Sequence, residues 1–360
     1  MNYELITKYF QQTTSVEGVF LNLSILFALS GVFFLLFVMA SRKSKTYIEA
    51  QLEKLNMKCQ PVVTELAFDE HLSPKSQALE KELLSSREGR TMLLAEIIKI
   101  RGFFQGEAAS VIENYYISKK LYKLSFKKLK ANAKHLKIAA LNELVGMSYQ
   151  ESARTVIQHL KREKDEEIIE NTLLALTKLN YELGLKEILN HSIYLTDWLQ
   201  LQIIQVLEDK KVAKLPALNQ WLTKDASRII FGIRLIAYSK SERFTEEMIE
   251  LLRHPEEMVR NEIIKTFALL EFEKSTNSLL LIFDNETVRN QCQIIKALIV
   301  FNQRYNLPFL SRCSENSREE VKRLAREALM KLRKDDMMPG IHAPFLSMIK
   351  TSEDYLAKAV

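Results

Sequence analysis

Apolar and polar positions follow helical spacing along most of the chain, in two distinct regimes. From Gly18 to Ser41 no residue is charged, and Val19 to Ala40 reads VFLNLSILFALSGVFFLLFVMA. At 1.5 Å per residue this run spans about 33 Å, enough for a hydrocarbon core of about 30 Å. Lipid offers backbone groups no hydrogen-bond partner, so the run predicts a transmembrane helix over residues 19–40. Beyond residue 130 similar strings recur: KIAALNEL, ENTLLALTKL, LQIIQVLE, FGIRLIAY, NEIIKTFALL, QIIKALIVF and RLAREALMKL. Aligned on one anchor, they place Ala140, Thr172, Ile203, Gly232, Ile263, Ile294 and Ala325 at steps of 32, 31, 29, 31, 31 and 31. Four residues after each anchor stand Leu144, Leu176, Leu207, Ile236, Phe267, Leu298 and Leu329. One residue after it stands Leu or Ile in six repeats, and Arg326 in the last. Positions i, i+1 and i+4 make one broad helical face, so these residues are the expected repeat core.

A second, shorter helix is expected between these, carrying Leu160, Leu189, Leu222, Leu252 and Phe283 at steps of 29, 33, 30 and 31. Pro216 and Pro308 precede apolar strings, as suits a proline in a helix's first turn. Thr196, Asp225 and Ser317 are candidate helix caps. A single helical hairpin cannot bury its apolar face, so neighbours must stack. The expectation is an all-α fold: one N-terminal transmembrane helix, then an α-solenoid of about seven two-helix repeats with a period near 31. Arg326 suits a terminal repeat with no successor. Gly232 occupies an anchor that is elsewhere Ala, Thr or Ile, and marks a close helix–helix approach.

These strings resemble HEAT repeats, as the Val259-Arg260 pair in EEMVRNEIIKTFALLE illustrates. The resemblance covers roughly residues 107–333. Positions equivalent to Arg260 are Ile169, Gln200, Ile229 and Gln291, so no continuous basic ladder is implied. The layout is also similar to membrane-anchored HEAT-repeat proteins of bacteria, in which one N-terminal span precedes a cytoplasmic solenoid. That resemblance implies an adaptor, with a membrane enzyme such as a glycosyltransferase among its possible partners. The expected layout is a short extracytoplasmic segment 1–18, the span 19–40, and a juxtamembrane helix and linker 41–75. A helical cap 76–133, HEAT-like repeats 134–333 and a tail 334–360 follow. Within 41–75, residues 59–75 hold Pro61 and Pro74 and read as linker.

Charge sets the orientation. Arg42, Lys43 and Lys45 directly follow the apolar run, whereas Glu4, Lys8 and Glu17 precede it. The positive-inside bias places the solenoid in the cytoplasm and the N-terminus outside, at the cytoplasmic (inner) membrane. A cleaved signal peptide ending near Val38-Met39-Ala40 is the rival, disfavoured by the long apolar run and the non-basic start. Asn22, Ser24 and Ser30 are polar residues within the span.

Residues 114–142 hold eight lysines and no acid, while the whole chain is +6, so the other residues sum to −2. Lys120, Lys123, Lys127, Lys130, Lys134 and Lys137 would form one stripe on a continuous helix, or two patches if Ala131-Asn132-Ala133 breaks it. Three readings of this stretch compete. They are an ordinary solvated face, contact with anionic lipid headgroups, and nucleic-acid binding through interleaved Tyr115, Tyr116, Tyr122 and Phe126. The first is favoured and the last least.

Composition narrows the chemistry. Nine glycines and seven prolines in 360 residues is about 4%, against roughly 12% in average proteins. This disfavours β-folds and glycine-rich phosphate loops. No P-loop, GxGxxG, GxSxG or HExxH motif occurs. Cys59, Cys292 and Cys313 are read as small buried hydrophobes, without disulfides. Asp165-Glu166-Glu167 and Asp335-Asp336 suit helix ends. Trp198 and Trp221 are expected to be buried; an exposed one would be a binding hot-spot candidate. The tail contains MMPGIHAPFLSMIK and is read as a fold-back cap or a partner-binding segment. No catalytic, metal or cofactor residue is assigned and no cofactor is expected. The reading is a non-enzymatic, membrane-tethered protein-interaction scaffold. The alternatives are an enzyme or enzyme subunit with residues on the concave face, or lipid or nucleic-acid binding by the lysines.

Overall fold

A computed structural model describes residues 16–68, 72–215, 218–301 and 304–334. The tail with Asp335-Asp336, most of the first 18 residues and Pro216 lie outside the described residues. The described chain is all-helical, with no strand. It divides into two compact units, Met1–Thr155 and Val156–Val360.

The first unit opens on α1, Val16–Phe68, a helix of 53 residues. Residues 22–39 have mean hydropathy 2.3 and none of that window is buried. Within it Ser24 Oγ donates to the Phe20 carbonyl and Ser30 Oγ to that of Phe27, so both hydroxyls are satisfied within the helix itself. The helix does not give way to a linker at residue 59, as the sequence suggested. It runs through Pro61 to Phe68. Cys59, Val62, Val63, Leu66 and Ala67 lie at helical spacing and are buried. They pack against α2 (Pro74–Ser85), α3 (Arg87–Arg101) and α4 (Gly106–Ser118). That burial holds the helix together across a proline that removes one of its hydrogen bonds. Ser73 caps α2 and Ser86 caps α3. α5 (Tyr122–Leu129) and α6 (Lys134–Gly146) then form a tight pair. α7, Ala153–Leu160, spans the boundary between the units.

The second unit is a row of long helices. They are α8 (Glu166–Leu179), α10 (Asp197–Asp209), α11 (Ala226–Tyr238), α13 (Glu257–Leu269), α15 (Val288–Phe301) and α17 (Glu319–Lys334). Each packs on the next along the row. Shorter helices lie between them: α9 (Tyr181–Asn190), α12 (Thr245–Leu251), α14 (Thr276–Ile282) and α16 (Leu307–Cys313). Between α10 and α11 the expected short helix is reduced to a 3₁₀ turn, Leu218–Gln220, with Leu222 in the turn that follows. Leu144, Leu176, Leu207, Ile236, Phe267 and Leu298 are each fully buried. Leu329 on α17 is only partly buried, because no further long helix follows among the described residues. Arg326 beside it is exposed. Thr196 and Asp225 cap α10 and α11 as expected, and Pro308 lies in the first turn of α16.

The scarcity of glycine leaves a mark on the backbone. Lys120, Ser148, Lys211, Lys240 and Glu271 have φ of 55, 46, 53, 49 and 52°. Each follows a helix end, and the next residue's N–H reaches back five positions to a carbonyl, as Val212 does to Leu207 and Phe272 to Phe267. This is the helix-ending motif that glycine usually serves. Here charged or polar residues occupy it, at a cost of roughly 1 kcal/mol each. Gly232 meets a different demand: a Cβ there would lie 2.4 Å from Trp221 Cβ. The close approach expected at Gly232 is therefore to the Trp221 turn.

Three stability changes of differing sign follow. Gly232→Ala should destabilise by about 1–3 kcal/mol by overpacking against Trp221. Gly146→Ala, with open space around it, should change stability by less than about 1 kcal/mol. Lys211→Gly should stabilise by up to about 1 kcal/mol, since it removes left-handed strain. Chemical denaturation in detergent measures all three.

Candidate interaction surface

The lysine stretch does not form one stripe. Lys120 lies in the turn after α4; Lys123 and Lys127 ride on α5, and Lys130 ends it. Lys134 and Lys137 begin α6. The break falls at Ala131-Asn132-Ala133, because the chain reverses there to pack α5 on α6. Lys119 pairs with Glu80 at 2.7 Å, and Lys128 pairs with Glu143. Glu143 also accepts from Ser125 at 2.7 Å, and Ser125 lies 3.1 Å from the Tyr116 hydroxyl. The interleaved aromatics face inward. Tyr115 and Tyr116 are buried, while Tyr122 and Phe126 pack on Tyr149 with ring centroids 4.9 and 6.4 Å away. Tyr115 and Tyr116 are closed to a stacking base, and Tyr122 and Phe126 are partly covered.

Position along α1 matters for the lipid reading. Arg42, Lys43 and Lys45 lie on α1 just past the apolar window. Lys58 on α1 bonds Glu82 on α2 at 2.5 Å, and Lys119 bonds Glu80, two residues earlier on α2. The lysine stretch therefore begins level with about residue 58. That is 19 residues, or about 28 Å of helix, beyond Met39.

A different surface emerges in the second unit. Trp221 is 2% exposed, but Trp198 is 45% exposed. Beside it along the chain, Tyr194 is 70% and Leu201 52% exposed. Burial of Trp198 was the expectation, and the structure reverses it: Trp198 sits in the first turn of α10 on the side away from Leu199 and Ile203, which take the core.

The segment that presents these residues is held from several sides. Thr196 Oγ1 accepts from Leu199 N and donates to Glu170 on α8 at 2.7 Å. The Leu195 N–H donates to Ser227 on α11. Gln200, 2% exposed, donates to the Leu195 carbonyl at 2.9 Å. Arg228 donates to the Ile193 carbonyl at 3.0 Å, to the His191 carbonyl and to Asp225. Arg234 on α11 joins Asp197 and Gln200 on α10 to Glu262 on α13. These bonds hold the loop that carries Tyr194 and the start of α10 that carries Trp198, both exposed, with Asp197 exposed beside Trp198 in the chain and Arg234 and Glu262 largely buried between the helices.

The same logic recurs down the row. Gln291 donates to the Phe283 carbonyl and accepts from Arg318, as Gln200 donates to Leu195 and accepts from Arg234. Arg260, in the equivalent position, donates to the His254 and Pro255 carbonyls and to Glu286. Burial works against ionisation of Glu286, yet Arg260 and Asn290 hold its carboxyl below the usual range. Gln200, Arg260 and Gln291 thus serve loop carbonyls at three of these positions, while Ile169 and Ile229 are buried apolar residues and leave the ladder broken.

Burial pushes the Cys59 and Cys313 thiols up to about 11, so both are neutral and inert at pH 7. Cys292 is half-buried. Asp165 caps α8, with Glu166 and Glu167 in its first turn, where the helix dipole favours negative charge. Among the described residues no group of His, Cys, Asp or Glu could hold a metal.

Neither a family model nor a curated protein matches this chain. Among solved structures, one similar chain is an engineered protein from the Northeast Structural Genomics Consortium. It is 11% identical, with 79% of this chain and 95% of that chain covered, at a TM-score of 0.32. That score is too low to equate the two folds.

One pH effect follows from the clamp. His191 Nδ1 accepts from the Ile193 N–H at 3.2 Å. Burial, then the Arg228 guanidinium, hold its pKa below 6.5, against an opposing pull from Glu187. The folded state therefore resists protonation more than the unfolded state does. Stability should be full above about pH 6.5 and decline as pH falls below it. Thermal unfolding between pH 7.5 and 5 measures this, and His191→Asn, which keeps an acceptor, should flatten that part of the profile.

Proposed function

We propose that this protein is a non-enzymatic scaffold, tethered to the membrane by α1, whose HEAT-like α-solenoid binds another protein. The observation that carries the reading is the exposure of Tyr194, Trp198 and Leu201 on a tied loop and helix start. Interface hot spots are enriched in tryptophan and tyrosine, and less ordering cost remains when the backbone that carries them is already held. The helix row supports the solenoid reading, since each long helix covers the next and leaves an extended surface. The span at 19–40 with Arg42, Lys43 and Lys45 after it supports a single-pass anchor, with the solenoid in the cytoplasm. A membrane enzyme is a natural partner for a protein so placed.

The length of α1 favours a protein partner over lipid for this architecture. With α1 upright, about 28 Å separates the end of the apolar window from Lys119, where the stretch begins. Screening extends only about 8–10 Å at physiological salt. In that setting the lysines act as a solvated face, each adding little.

Affinity purification from detergent-solubilised membranes tests the reading. The full chain should enrich a specific protein. Trp198→Ala with Tyr194→Ala should lose at least tenfold of that enrichment with unchanged thermal stability, since both side chains are exposed. Enrichment of nothing above background would defeat the scaffold reading. Equal capture by the double variant would move the contact elsewhere.

A further inference from the structure

We propose that the groove between α14 and α16 is covered by the chain's own segment Pro344–Ile349. The groove has a volume of about 530 Å³ and is lined by Asn277, Leu280, Leu281, Phe309 and Arg312. Leu281 is 80% exposed, the highest value for a large apolar side chain in the second unit among the described residues. The floor is rigid: Phe309 packs edge-on against buried Phe283, with ring centroids 4.9 Å apart. Arg312 lies over the Phe309 ring at 5.1 Å and pairs with Asp284 at 3.5 Å, so the rim of the apolar groove carries a compensated ion pair.

Three observations select the occupant. First, reach: α16 and α17 are joined by the short turn 314–318 and pack on each other as an antiparallel pair. The described chain therefore ends at Lys334 on the side where α16 begins, and Phe309 lies in the first turn of α16. From Lys334 to Phe345 is 11 residues, up to about 36 Å of extended chain. Second, chemistry: Phe345, Leu346, Met348 and Ile349 place four large apolar side chains within five positions. Third, charge: residues 344–349 carry no charged side chain, which matches an apolar groove whose Arg312 is already paired with Asp284. A segment tethered this close competes at high effective concentration with any partner in solution.

The test uses the full chain, purified in detergent and diluted. A photo-reactive benzoylphenylalanine replaces Leu281, and the cross-linked peptides are mapped by mass spectrometry. The expected product is intramolecular, joins position 281 to residues 341–350, and falls at least fivefold with Phe345→Asp and Leu346→Asp. Cross-links to a second copy, to a co-purified protein, or to neither would each overturn the proposal. Hydrogen exchange of α14 supplies a second measurement: it should speed up at least fivefold in the tail variant, with α11 unchanged. Equal exchange in both forms would also overturn it.

Discussion

The structure rests on one constraint: a long amphipathic helix with a broad apolar face needs cover from more than one neighbour. In the second unit α8, α10, α11, α13, α15 and α17 meet it in series. The large residue four positions past each anchor is driven to zero exposure from Leu176 to Leu298. At roughly 25 cal/mol per Å² of apolar surface, this packing outweighs any surface ion pair in the molecule. It also explains why α17 differs. Its Leu329 is only partly buried, and a charge stands where the other helices have Leu or Ile.

Packing of this kind fixes which faces touch but leaves turns and helix ends with unpaired carbonyls. The buried amides and guanidinium groups answer that second need. Gln200, Arg228, Arg260 and Gln291 each donate to carbonyls in the loops between helices. Because a buried carbonyl without a donor costs about 1–3 kcal/mol, these side chains decide where each loop runs. One such loop, residues 191–196, is tied to α8 and α11 as well as to its own helix. These ties fix the backbone that carries exposed Tyr194 and leads into the turn of α10 that carries exposed Trp198.

In the first unit the equivalent constraint falls on α1. One continuous helix is apolar and unburied at its start and forms the unit's core at its end. The helix through Pro61 leaves no joint between the unburied apolar stretch and the core of the unit.

Much of this was legible in the sequence. The period near 31, the apolar span, the caps Thr196 and Asp225 and the special nature of Gly232 are local patterns, read directly from spacing and residue type. What sequence could not settle were choices made between partners far apart in the chain. Pro61 looked like a break because its helix-stabilising neighbours on α2–α4 come 13 or more residues later. Trp198 looked like core because an apolar residue near a helix start carries no label for the side it faces. The lysines read as one stripe or two patches, because the reversal between α5 and α6 depends on their mutual packing. The sequence alone determined an all-helical repeating chain with an apolar N-terminal run. Only the tertiary structure decided which side chains face outward, because exposure is a property of neighbours and not of spacing.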